Sequence, residues 1–191
     1  MTADSGSFKN RYLSPKFVDF WMADQGMEAG RSLWRQKLIS LLPFESSDTL
    51  RVLDLGAGTG ALSLEILNLY PNIHLTCQDF SETMLSHARQ QLAKFEGKVT
   101  FVQSDLRNPG WEQTIEGTFD AVVSSFVTHT VPDNVKAIYQ ELFGLVSPGG
   151  CFLSCDIFTP PGPALERIYH KSRLMDFQNR IKMKTGIEKS L

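Results

Sequence analysis

The sequence predicts an α/β domain built on a doubly wound, mostly parallel sheet of about five strands with helices on both faces. Three observations predict it. From Leu50 onward, short apolar runs alternate with stretches of helical period, the pattern that right-handed βαβ crossovers produce. The first run ends in a glycine-rich turn, Gly56-Ala57-Gly58-Thr59-Gly60, that opens directly into a helix-like stretch. Finally, 191 residues with 42% hydrophobic and 21% charged content suit one soluble domain able to bury a sizeable core.

The elements follow in order. Ser14-Pro15 places a helix cap before a proline at the first helical position, where the missing N–H costs nothing. The helix "PKFVDFWMAD" is rich in aromatics. Gly26 and Gly30 interrupt it, and "RSLWRQKLISLL" resumes with Trp34, Leu38, Leu41 and Leu42 on one face. "RVLDL", "IHLTCQD", "VTFVQ", "FDAVVSSF" and "CFLSCDIF" read as strands. Between them lie helices over 61–70 and 81–95, a short one over 111–116, and one over 133–143. In the second of these Met84, Leu85, Ala88, Leu92 and Phe95 form one apolar stripe behind Ser81 as the cap. "SPGG" at Ser147 to Gly150 predicts a tight turn into the fifth strand. The organisation is therefore a helical lid or cap over 1–49, a ligand-binding core over 50–158, and a loop and helix over 159–191, all in one domain.

Composition excludes several classes. Net charge is −2 with no long basic block, which disfavours an electrostatic grip on nucleic acid or an anionic membrane. "MTADSGSFKNRYLS" lacks the apolar stretch of a signal peptide, and no run of about 18 apolar residues predicts a membrane span. A cytoplasmic location is expected. Cys77, Cys151 and Cys155 show neither CxxC nor a Cys/His spacing, so reduced thiols and no metal site are expected.

Gly56, Gly58 and Gly60 sit where a doubly wound sheet binds its ligands, outside the carboxyl end of the first strand. Bare backbone lets a ligand come close, and the helix N-terminus offers unpaired N–H groups. Asp79 ends the second strand, a placement suited to accepting hydrogen bonds from both hydroxyls of a ribose. A nicotinamide dinucleotide fits this far, since Gly56-x-Gly58-x-x-Ala61 satisfies its pattern. Asp54, at the mouth of the strand two residues before the first glycine, argues against it. A pyrophosphate would be repelled there, whereas a ligand carrying an ammonium and a sulfonium would not.

Over Arg31 to Ile157 the sequence resembles the class I S-adenosylmethionine-dependent methyltransferases, of the small methyltransferase-domain type with a Rossmann-like core. The motif D-x-G-x-G-x-G is matched by Asp54, Gly56, Gly58 and Gly60, with Ala57 inside it. The resemblance implies S-adenosylmethionine as cofactor, S-adenosylhomocysteine as product, and further contacts. "QDFSETML" supplies Asp79, Phe80 and Met84 near ribose and adenine, and "QSDL" supplies Asp105 toward the adenine amino group with Leu106 beside it. "FDAVVSSFVTHTVPD" resembles the fourth strand and the loop under the methionine end, carrying Ser124 and Ser125.

In-line methyl transfer depends chiefly on positioning, and an O- or N-nucleophile also needs a base. His129, just after the fourth strand, is the candidate for that base, against the bland reading of a loop histidine. His74, His87 and His170 have no such placement. "SSFV" ends the fourth strand where amino-methylating enzymes resemble [D/N]-P-P-[Y/F], and no Pro-Cys dipeptide is present. A small organic acceptor is the expectation, with Tyr12, Phe17, Phe20 and Trp21 as a lid. The alternatives are a cofactor-binding module without catalysis and, more weakly, an NAD(P) oxidoreductase. The family order 3-2-1-4-5-7-6 lacks a counterpart for strands six and seven here. The fifth strand is therefore expected at an edge, covered by a helix from Ala164 onward or paired in a homodimer, with the N-terminal helices as the other dimer surface.

Overall fold

A computed structural model of the chain describes residues 12–23, 25–158 and 162–171. It forms two units, Met1–Asp156 and Ile157–Leu191. In the second, residues 163–171 are helical, as expected at its start, and the rest of the expected C-terminal helix lies outside the described residues.

The first unit opens with helices α1 (Pro15–Ala23) and α2 (Gln25–Ile39). Then β1 (Arg51–Leu55), α3 (Ala61–Leu69), β2 (His74–Asp79), α4 (Glu82–Gln91) and β3 (Val99–Gln103) follow, and β4 (Phe119–Ser125), α5 (Val135–Leu145) and β5 (Val146–Cys155) complete it. The five strands are all parallel in the order β3-β2-β1-β4-β5. That is the expected doubly wound topology, with order reversing between β1 and β4. A parallel sheet is covered on both faces, which is why its strands are nearly continuous apolar runs. Val52, Cys77, Ala121 and Val123 pack on one face with Leu38, Ile39, Leu62 and Ile66. Leu53, Leu55 and Val122 pack on the other with Trp111, Ile138 and Leu142.

Three expectations are corrected. Helix α2 runs unbroken through Gly26 and Gly30, because a helical glycine costs only about 1 kcal/mol and burial of Leu38 and Ile39 offsets it. Its buried face is also turned by one residue. Trp34 is 56% and Leu41 68% exposed, while Arg35 is buried and donates to Glu65 of α3 at 2.8 Å. A long cationic stem that finds a carboxylate covers apolar surface as well as a leucine does. Finally, "SPGG" is a bulge inside β5 rather than a turn before it. Val146 pairs with Phe119 and Cys151 already with Ala121, so Ser147–Gly150 loop out against one residue, Asp120. Gly150 permits this because a Cβ there would lie 2.8 Å from the Asp120 carbonyl.

Candidate active site

The glycine turn leaves β1 with Gly56 at φ +70° and Gly58 at φ +56°, a region that residues with a side chain rarely occupy. The two glycines serve different ends. A Cβ on Gly56 would sit 2.4 Å from Cγ2 of Val127, so this glycine makes room for a neighbouring loop. A Cβ on Gly58 would meet nothing within 4 Å, so the surface above it is open.

The turn is pinned from β2. The N–H of Ala57 donates to the Gln78 carbonyl at 2.8 Å, and that of Gly56 to Gln78 Oε1 at 3.0 Å. Gln78 Nε2 in turn donates to the Ser104 carbonyl at 2.6 Å. One buried amide thus joins the ends of β1 and β3. Sequence reasoning missed Gln78. The signal was a polar side chain, next to the acid, in an otherwise buried strand.

Asp79 ends β2 with 7% exposure. Its Oδ2 accepts from the N–H of Gly58 and its Oδ1 from that of Ser81, both at 2.9 Å. An ionised carboxylate has about four acceptor positions, so room for two further donors remains. Burial pushes its pKa up to about 6, against the pull of the Ser81, Gly58 and Phe80 amides. Ser81 caps α4 by accepting from the N–H of Met84 and also donates to the Tyr12 carbonyl at 2.6 Å. The ring of Tyr12 meets Phe80 edge-on at 6.4 Å and Phe17 at 5.3 Å, which brings the chain before α1 to the rim of the site. The side chains of Phe20 and Trp21 lie outside those described.

Asp54 does not open onto the mouth of the strand. Strand alternation turns it toward α3, where it is 1% exposed and accepts from Ser63 Oγ at 2.6 Å. Burial first, and the charge of Asp79 second, push its pKa up to about 7. The carboxyl thus lies beneath the turn and carries a full charge only above about pH 7. Asp105 is gripped by Arg107, Nε to Oδ1 at 2.8 Å and Nη2 to Oδ2 at 2.9 Å, and that guanidinium lies over the Phe80 ring at 5.3 Å. Met84 and Leu106 are buried, Leu106 in the core facing α5.

At the end of β4, Ser124 is buried and donates to the Leu55 carbonyl at 3.1 Å, tying β4 to the strand before the turn; Ser125 is half-buried. Phe126 follows with φ +59°, a conformation costly for a bulky residue, held as its N–H donates to the Cys155 carbonyl at 2.8 Å. Thr128–Thr130 then form a single 3-10 turn. Donors from Val127, Thr128 and His129 converge on Asp156, just past β5, while Thr130 turns back to the Val127 carbonyl. Oδ2 accepts from the N–H of Thr128 and from its Oγ1, both at 2.6 Å, from the N–H of Val127 at 3.1 Å and from that of His129 at 3.3 Å. Oδ1 is 2.5 Å from His129 Nδ1. The Asp156 side chain is fully buried and that of His129 is 26% exposed.

This sheet order, with a glycine turn and a terminal acid at its switch point, defines the Rossmann-like fold of class I methyltransferases. Solved structures share it. A protein of Methanococcus maripaludis described as an S-adenosylmethionine-dependent methyltransferase aligns with a TM-score of 0.61 at 19% identity, over 88% of this chain and 77% of that one. One from Geobacter sulfurreducens, solved with S-adenosylhomocysteine, aligns at 0.53 and 20% identity over 71% and 53%. The chain belongs to the methyltransferase-domain family, which matches residues 52–150. It is 36% identical over 127 residues to a demethylmenaquinone methyltransferase of Leptospira interrogans, covering 65% of this chain and 50% of that protein. It is 31% identical over 138 residues to a ubiquinone/menaquinone biosynthesis C-methyltransferase of Methylobacterium nodulans, covering 71% and 53%. The chain spans about half the length of the curated relatives it matches. Among the described residues, no helix is long and apolar enough to cross a membrane.

Proposed function

We propose that the protein transfers a methyl group from S-adenosylmethionine to a small organic acceptor. The observation that carries this is the open surface over Gly58 beside a buried Asp79 with acceptor positions to spare. A ribose fits there. Its two neighbouring hydroxyls match the two remaining positions of the carboxylate, and the bare turn admits the chain that follows. Asp54, once ionised, places negative charge beneath that chain, which favours an ammonium and a sulfonium over a pyrophosphate. When bound, this cofactor supplies an electrophilic methyl whose bond to sulfur breaks, the electron pair staying on a neutral thioether, as the bond to the acceptor forms.

The protein's own part is to hold and orient both partners and to manage one proton. His129 stands after β4, where the methionine end is expected, and serves as base toward an acceptor hydroxyl. The curated relatives named for quinone substrates favour a ring acceptor. Electron-rich carbon attacks a sulfonium methyl, so the reduced, hydroxylated ring is the form to offer. Tyr12 and Phe80 close the rim over the adenine side.

Calorimetry tests the cofactor: S-adenosylhomocysteine is expected to bind and NADH is not. NADH binding without S-adenosylhomocysteine binding would overturn the proposal. Incubation with S-adenosylmethionine and a reduced naphthoquinone, read by mass spectrometry, tests the acceptor class.

A further inference from the structure

The convergence of donors on Asp156 has a chemical meaning beyond folding the loop. An ionised carboxylate only accepts hydrogen bonds. Asp156 Oδ2 already receives the Val127 and Thr128 amides and the Thr128 hydroxyl, and such donors favour the charged form. The contact at Oδ1 must then be His129 Nδ1–H donating. In a neutral imidazole that leaves Nε2 without its proton, as a lone pair. Nε2 has no hydrogen-bond partner among the described residues, and the ring is partly exposed whereas Asp156 is fully buried.

We propose that Asp156 is a positioning residue that fixes His129 as the Nδ1–H tautomer and so keeps Nε2 available as the base. This rests on the methyl-transfer reading above only for what the base is used for. The proton step balances simply. The acceptor's O–H proton passes to Nε2, its electron pair stays on the acceptor, and Nδ1 keeps its own proton against the Asp156 anion. The imidazolium later returns the added proton to water. The reach is long in sequence, from the loop after β4 to the residue after β5, but short in space, because β4 and β5 are paired neighbours.

The decisive variant is Asp156→Asn. An amide has one acceptor oxygen, and the three strong donors now at Oδ2 dictate where that oxygen goes. The NH2 group must then face His129 Nδ1, which forces Nδ1 to accept and moves the ring proton to Nε2. The loop keeps its bonds while the base is lost, a swap known from the serine protease triad to be severe. A role confined to loop structure would not reverse a tautomer.

The test uses full-length protein with 15N-labelled histidine, His129 being assigned with His129→Gln. Multiple-bond nitrogen–proton spectra should show Nδ1–H in the parent and Nε2–H in Asp156→Asn. Carbethoxylation of His129 by diethyl pyrocarbonate, which needs an imidazole lone pair, should slow by about tenfold or more in that variant. If Asp156→Asn does not fold, Thr128→Val serves instead. It removes one Oδ2 donor, leaves the Asp156 charge in place, and should retain Nδ1–H. An Nε2–H tautomer in the parent, or no change of tautomer in a folded Asp156→Asn, overturns the proposal. S-adenosylhomocysteine affinity is measured alongside. Its absence in the parent would count against the methyl-transfer reading while leaving the tautomer result standing.

Discussion

Two carboxylates at the carboxyl edge of the sheet do the same local job and are left with different room for further donors. Asp79, at the end of β2, accepts the N–H of Gly58 from the loop after β1. Asp156, just past β5, accepts the N–H groups of Val127 and Thr128 from the loop after β4. Each strand end thus ties down the loop of its neighbour. Asp79, however, retains unused acceptor positions beside open space, whereas Asp156 is sealed and passes its last oxygen to an imidazole. One acid is offered to a ligand directly, and the other acts only through His129. On this account the β1–β2 side governs cofactor affinity and the β4–β5 side governs turnover.

The largest expected effect that would break this division is at Gly58. Gly58→Val fills the open surface and places a β-branched residue at φ +56°, so S-adenosylhomocysteine affinity should fall by about a hundredfold or more in calorimetry. Retained affinity would mean that the cofactor does not pass over this turn. Next comes Asp79→Ala, which removes two charge-assisted hydrogen bonds worth about 1.5–3 kcal/mol each. Affinity should drop at least tenfold, and an unchanged dissociation constant would reduce Asp79 to a partner of Asp156 in loop-tying alone.

Asp54→Asn is the third, read as stability against pH. The buried acid holds its proton up to about pH 7 in the folded protein, whereas the unfolded chain releases it near pH 4. Across that window the folded state binds more protons, so the parent loses stability as pH rises and the loss is complete above about 7. Asparagine carries no such proton. In urea unfolding the variant should match the parent near pH 4.5 and exceed it by on the order of 1–3 kcal/mol at pH 8. No pH-dependent difference would place the Asp54 charge in contact with water. The smallest effect is expected from His129→Gln, which should change S-adenosylhomocysteine affinity by less than about twofold. A large loss there would join the two sides into one site.

How much of this was legible follows the same division. The β1–β2 side is written in contiguous motifs: a strand, three glycines and an acid at the end of the next strand, each with a local reason to be there. Asp79 could be placed by counting. Gln78 beside it could not, because its role depends on Ser104 and Gly56 coming within reach only once the strands pair. On the β4–β5 side His129 is visible as a residue type, whereas Asp156 is only the acid within the run "CFLSCDIF" and nothing local singles it out. Its function is set by five donors from a loop nearly thirty positions earlier in the chain, and no spacing rule carries that. The α2 face was misread for a related reason. Apolarity identified Trp34 and Leu41, whereas pairing with Glu65 is what buries Arg35.

Gly56 and Val127 share one volume of space, the isopropyl group of the second standing where a side chain of the first would be. Position 56 is therefore not free to drift alone. Among homologues that keep this packing, a larger residue at 56 should occur only where 127 has shrunk, and only in a lineage that can also relax the left-handed backbone. The reduction at 127 would have to come first, since the reverse order passes through an intermediate with overlapping atoms. A history of substitutions in the loop after β4 would thus set when the turn after β1 became able to change.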